Sequence, residues 1–258
     1  MSTRLLQIKR AVSRALSSLA HAGRCNICGY RGLFRVRPEA WHNLRETLDC
    51  PRCRSISRDR FLAAVIAVCL GKPPIMAEWP VDKSVVIREP SAYRGGAQML
   101  ARKVNYRPLK FPEENLEGLK DADNSIDDLV TADVFEHVRF DDLAFREVYR
   151  VLRPGGYFFL QVPYEHSERT RILVQPDGDQ DIYLCPPLYH DEHTLVYRIY
   201  GHNLLPKLEA LGFSVGYVRQ AFKRWGVVPM DMIVCRKDAP LPDDRSPFPV
   251  RFDREWPR

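Results

Sequence analysis

The stretch "DADNSIDDLVTADVFEHVRFDDLAFREVYRVLRPGGYFFLQVPY", residues 121–164, decides the fold. The run at 126–131, with Ile126, Leu129 and Val130, and the apolar "GYFFLQV" at 156–162 are segments of strand length. Between them Leu143, Phe145, Val148, Tyr149 and Leu152 recur at helical spacing, which predicts a helix over 141–152. A strand, a crossing helix and a second strand make a parallel pair. Pro154-Gly155-Gly156 supplies the turn into the second strand. Asp127 stands at the start of the first strand and Asp133 leaves its C-terminal end. In open α/β sheets, ligands bind beyond that end.

Working outward, the alternation continues on both sides. A strand at 84–89 and a helix at 95–104 precede the block; a helix near 201–211 and two strands, "FSVGYVR" and "MDMIVCR", follow it. The last two lie close enough to pair as an antiparallel edge. The expected architecture is α/β, a doubly wound and mostly parallel sheet with an antiparallel last strand, preceded by a small N-terminal zinc-ribbon-like module. The sequence divides into an amphipathic helix (1–22), a four-cysteine module with its helix (23–75), the α/β domain (76–238) and a Pro- and charge-rich tail (239–258).

The module carries two C-x2-C knuckles, Cys25/Cys28 and Cys50/Cys53. Four thiolates are the ligand set of a closed structural zinc site, and a site with no open position staples the chain without doing chemistry. Two disulfides or a redox dithiol are the competing readings. Ser57 is placed to cap the helix that follows, which Gly71 and Pro73-Pro74 end. Its apolar run, "FLAAVIAVCLG" at 61–71, is about half the length that crosses a bilayer. With no secretory leader pattern at the N-terminus, a cytoplasmic, reducing location is expected.

The net charge of +6 permits nucleic acid, an anionic membrane face or an acidic substrate, but the basic residues are scattered, which makes nucleic acid a poor fit. The helix at 4–20 places Leu5, Ile8, Val12, Leu16 and Leu19 along one stripe; it docks on the body, on a partner or on a membrane surface.

Residues 121–164 resemble the class I methyltransferases that use S-adenosylmethionine, which show this block as an acidic turn, a strand, an "EHV" element, a helix and "RVLRPGG". A narrower likeness spans most of residues 25–218. It is to members with an N-terminal cysteine-knuckle module and a P-x-Y-H segment, here "PPLYH" at 186–190. The resemblance implies a donor site at the first strand-to-helix turn, on Glu89, Pro90, Ser91, Gly95 and Gly96. It adds Glu114, Asn115 and Leu116, and the strand end at Ala132 and Asp133. Members carry a carboxylate at the end of the second strand, where this chain has Tyr106, Arg107 and Pro108. Asn115 reads equally as a turn residue.

For an acceptor hydroxyl a general base helps, and His190 or His137 is the expected base; His137 reads equally as a structural histidine. Tyr164, Glu165, Tyr189 and His193 would line the acceptor pocket, with Glu136 orienting its neighbours. The expected function is methyl transfer from S-adenosylmethionine to a small-molecule or sugar-containing metabolite. The alternative is a non-catalytic binding or assembly protein that retains the fold.

Overall fold

The structure is a computed structural model that describes residues 21–90, 94–165, 167–190, 193–242 and 252. The amphipathic stripe at 4–20, Ser91 and most of the tail lie outside the described residues.

The described residues open on an antiparallel hairpin, β1 (His21–Arg24) and β2 (Arg31–Phe34), whose connection carries the first cysteine knuckle. Gly29, at φ 77°, takes the left-handed conformation that closes this knuckle. Helix α1 (Ser57–Cys69) is buried on nearly every side, as an apolar core helix should be. The expected Ser57 cap is not formed. Asp59, one turn in, accepts the Ile56 N–H at 2.9 Å, while the Ser57 hydroxyl accepts the N–H of Val228. The Asp59 carboxylate thus reaches back to the buried N-cap N–H and places a negative charge in the first turn, where the helix favours it.

The sheet follows with β3 (Asp82–Glu89), α2 (Arg94–Lys103), β4 (Val104–Pro108), β5 (Ile126–Ala132), α3 (Asp141–Val151) and β6 (Leu152–Gln161). An insertion then forms two small antiparallel pairs. In it β7 (Arg171–Ile172) pairs with β10 (Arg198–Ile199), and β8 (Val174–Asp177) pairs with β9 (Gln180–Tyr183). Helix α4 (Leu204–Glu209) leads into β11 (Phe213–Phe222) and β12 (Val227–Lys237). The six strands lie in the order β11-β12-β6-β5-β3-β4. The pairs among β4, β3, β5 and β6 are parallel; β12 runs antiparallel to β6 and to β11.

Each face of the sheet has its own core. On one, Phe145, Val148 and Val151 of α3 and Leu204 and Leu208 of α4 pack over Leu129, Phe158 and Ile233. On the other, Phe61, Leu62 and Val65 of α1 join Ile27, Phe34 and Leu48 of the cysteine module over Val130, Phe159 and Val234. Module and sheet thus share one core across residue 75.

Arg60 locks the two together. Fully buried, it donates to the carbonyls of Leu48 and Ser55 in the module and of Trp225 and Gly226 in the β11–β12 connection, all at 2.6–3.0 Å. A buried guanidinium must have its donors met, and here the backbone meets them. Gly156 permits a similar close fit on β6. A Cβ there would stand 2.5 Å from the Asp127 carbonyl.

Candidate active site and metal centre

The four knuckle sulfurs converge. Cys25 Sγ lies 3.7 Å from Cys53 Sγ, Cys28 Sγ lies 3.6 Å from Cys50 Sγ, and all four fall within 4.8 Å of one another. A tetrahedral ion with metal–sulfur bonds of about 2.3 Å holds its sulfurs about 3.8 Å apart. The set therefore fits zinc, and no disulfide is formed among these cysteines. Ser55 lies against both Cys25 and Cys53 and in turn receives Arg60, so a buried cation offsets the charge that the thiolates bring.

The carboxyl ends of β3 and β5 are neighbours in the sheet, and each bears an acid. Glu89 is buried and accepts the Tyr106 hydroxyl at 2.7 Å. Asp133 sits at φ 53°, a conformation that aspartate tolerates better than most residues, and this turns the chain sharply after Ala132. Its carboxylate takes both oxygens' worth of Arg45, at 2.6 Å, and also bonds Arg58. Arg45 and Arg58 come from the segment between the second knuckle's approach and the start of α1, so the cysteine module reaches the mouth of the crevice. Nothing in "NLRETL" or "SRDR" marks these arginines in advance; only the fold brings them there.

Other expected donor residues are turned elsewhere. Gly95 backs onto the metal module, since a Cβ on it would stand 2.5 Å from the Cys53 carbonyl and 3.1 Å from its sulfur. Its missing side chain thus serves helix-to-knuckle packing, and Gly96 beside it is buried too. Glu114 is tied to Arg88 and to the Lys110 N–H. Asn115 accepts the Glu117 N–H at 3.1 Å, the turn role that its chemistry allows, and the Leu116 side chain lies in the core with Leu109 and Leu119. Glu89, Pro90, Ala132 and Asp133 remain at the carboxyl ends of β3 and β5.

Just past Asp133, a short turn, Phe135–His137, carries the second constellation. His137 Nε2 lies 2.9 Å from His190 Nδ1, so the two histidines that sequence reading offered as alternatives form one pair. His137 Nδ1 lies 2.7 Å from the Leu195 carbonyl, which can only accept; Nδ1 therefore carries the proton and Nε2 of the neutral ring is an acceptor. Glu136 is fully buried, with Oε1 3.6 Å from the near nitrogen of each histidine. Burial first, then the charge of Asp133, pushes its carboxyl up to about 8. Neither Glu136 oxygen has a hydrogen-bond partner among the described residues. The letters "FEHV" held this signal, but burial without a partner is visible only in three dimensions.

The insertion positions the rest. Backbone pairing of Tyr189 with Leu195 and the His190 N–H to the Thr194 carbonyl hold His190 over His137. His193 is exposed nearby in the chain. Tyr164 packs its ring against His202 and Tyr217, and Glu165 pairs with Arg171 at 2.6 Å.

A parallel core in the order β4-β3-β5-β6, closed by an antiparallel hairpin whose last strand, β12, lies against β6 with β11 outermost, is now joined by a sequence match. Residues 89–160 match the family model described as methyltransferase domain. Over this stretch the chain is similar to a methyltransferase domain, and its six-stranded mixed sheet is methyltransferase-like. Among solved structures it is similar to the Burkholderia thailandensis 1,6-didemethyltoxoflavin-N1-methyltransferase bound to 1,6-didemethyltoxoflavin and S-adenosylhomocysteine. The identity is 14%, over 71% of this chain and 80% of that one, with a TM-score of 0.46. It is similar also to an S-adenosylmethionine-dependent methyltransferase of Mesorhizobium loti, at 15% identity over 68% of this chain and 98% of that one, TM-score 0.39. No curated protein matches the sequence. Among the described residues no helix is long and apolar enough to cross a membrane.

Proposed function

We propose that this methyltransferase-fold chain moves a methyl group from S-adenosylmethionine to a hydroxyl of a small-molecule or sugar-containing acceptor, with His190 as the general base. The observation that carries the reading is the His190–His137 pair, held at 2.9 Å on the turn that directly follows the crevice. When bound, the donor supplies an electrophilic methyl group on a sulfonium. The crevice residues fit such a molecule. Glu89 and Asp133 are carboxylates at the ends of neighbouring strands, where such folds bind their ligands, and a carboxylate there suits ribose hydroxyls.

Proton handling follows from the tautomers. With Nε2 of His137 accepting the Nδ1–H of His190, the lone pair of His190 sits on Nε2, at the exposed side of the pair. There it takes the acceptor's proton as the oxygen attacks, and the imidazolium formed faces Glu136, 3.6 Å from Nδ1. Four cysteine thiolates hold a structural zinc in this reading, apart from the chemistry.

His190→Ala tests it. A general base contributes about a hundred- to ten-thousandfold in rate, so turnover should fall in that range with donor binding and melting temperature kept, and the loss should shrink at high pH. Normal turnover would remove the base. A second reading, a binding protein that retains the fold, is favoured by one observation: Arg45 and Arg58 already neutralise Asp133 at the crevice.

A further inference from the structure

We propose that Glu136, His137 and His190 hold a divalent transition-metal ion, a second metal site distinct from the cysteine cluster. Three observations converge on it. The first is geometric. His137 Nε2, His190 Nδ1 and Glu136 Oε1 form a triangle with sides of 2.9, 3.6 and 3.6 Å. A single point lies about 2.0 Å from all three corners of such a triangle, the length of metal–imidazole and metal–carboxylate bonds. An ion at slightly longer bonds sits just above the plane, and its far side stays open.

The second observation is the support around the ligands. A metal-binding histidine ordinarily donates its other ring N–H to a carbonyl or carboxylate, which fixes the ring and leaves the correct nitrogen free to bind. His137 does this through Nδ1–H to the Leu195 carbonyl, and Nε2 faces the centre of the triangle. His190 presents Nδ1 to the same point and keeps its far edge at the surface.

The third is Glu136 itself. Its side chain is wholly buried, and both carboxylate oxygens lack a hydrogen-bond partner among the described residues. Leaving such a group unmet is costly, and the two near imidazole nitrogens, each 3.6 Å from Oε1, are beyond hydrogen-bond distance. A cation bound to Oε1 does. Asp133 is no competitor for the ion, because Arg45 and Arg58 occupy it. Two imidazoles and one carboxylate favour zinc, cobalt, manganese or iron(II) over calcium or magnesium. Unlike the four sulfurs, three ligands leave positions for an oxygen of the acceptor. That role rests on the methyl-transfer reading, whereas the binding does not; the general-base role of His190 belongs to the metal-free pair, and in the loaded site His190 would serve as a ligand.

The test uses the full chain with its cysteine site filled by zinc, titrated with Co2+ and followed by absorption and calorimetry. The expected result is one further equivalent of cobalt per chain, with weak visible bands and without intense sulfur-to-metal charge transfer. His190→Ala alters an exposed loop side chain, so it should lower cobalt affinity about tenfold or more while zinc content and melting temperature hold. Glu136→Gln should do the same if it folds. The proposal is overturned if the zinc-loaded chain takes up no cobalt at millimolar concentration, if cobalt appears only as a thiolate complex, or if His190→Ala binds as tightly as the parent. Donor binding is a separate readout. Cobalt uptake with no affinity for S-adenosylhomocysteine would establish the metal site and refute methyl transfer.

Discussion

Asp128 should make this protein less stable as pH rises, and Asp128→Asn should remove that dependence. The residue lies in the middle of β5, between Ile87 of β3 and Tyr157 of β6, with 1% of its surface exposed. Burial first, then the charge of Asp127, pushes its carboxyl up to about 8, against an ordinary 3.8. Between those two values the folded chain keeps a proton that the unfolded chain has released, so each rise in pH favours unfolding. The slope is about 1.4 kcal/mol per pH unit. From pH 5 to pH 7 the loss is therefore about 3 kcal/mol. Below about pH 4 the carboxyl is protonated in both states and the stability is fully present; above about pH 8 the slope ends. Asp59, pushed up to about 6 by its own burial, slopes the same way at lower pH, so the difference between parent and variant isolates Asp128. Asparagine keeps the shape without the charge and can still accept the Tyr157 N–H, which Asp128 receives at 3.3 Å. Urea unfolding at a series of pH values gives both curves. They should diverge, with the variant relatively more stable at higher pH. Parallel curves would refute the reasoning.

Two further outcomes follow from the metal module. Cys50→Ser should abolish stoichiometric zinc and lower the melting temperature sharply, because structural zinc binding contributes directly to folding and this module shares a core with the sheet; elemental analysis and calorimetry check it, and full zinc content would contradict the ligand assignment. Gly95→Val should disturb the Cys53 knuckle, where a Cβ would stand 2.5 Å from a backbone carbonyl, and so weaken zinc retention while leaving affinity for S-adenosylhomocysteine unchanged; a variant that keeps its zinc but loses the ligand would return Gly95 to the donor site.

What could be read in the letters was what depends on local periodicity and spacing. The strand at 126–132, the helix at 141–151 and the strand ending at Gln161 follow from apolar residues recurring at their own periods, and the knuckles from paired cysteines. The short pairs β7–β10 and β8–β9 were not legible, because strands of two to four residues in a polar segment carry no period. Nor was the role of Gly95, since a glycine permits close approach without naming what approaches. Arg45, Arg58 and Asp133 meet across 75 to 88 residues of sequence, and no local pattern encodes such a contact. His137 and His190 were each visible as chemistry; that they stand together over a buried Glu136 depends on how the insertion folds back.

The central claim is that the crevice at Glu89 and Asp133 takes S-adenosylmethionine. Calorimetric titration of the full chain with S-adenosylhomocysteine tests it most directly, since that product carries every group of the donor except the methyl. Saturable binding in the micromolar range at one site per chain is expected, whereas silence at millimolar ligand, with zinc in place and the chain folded, would rule the donor site out and leave the binding-protein reading.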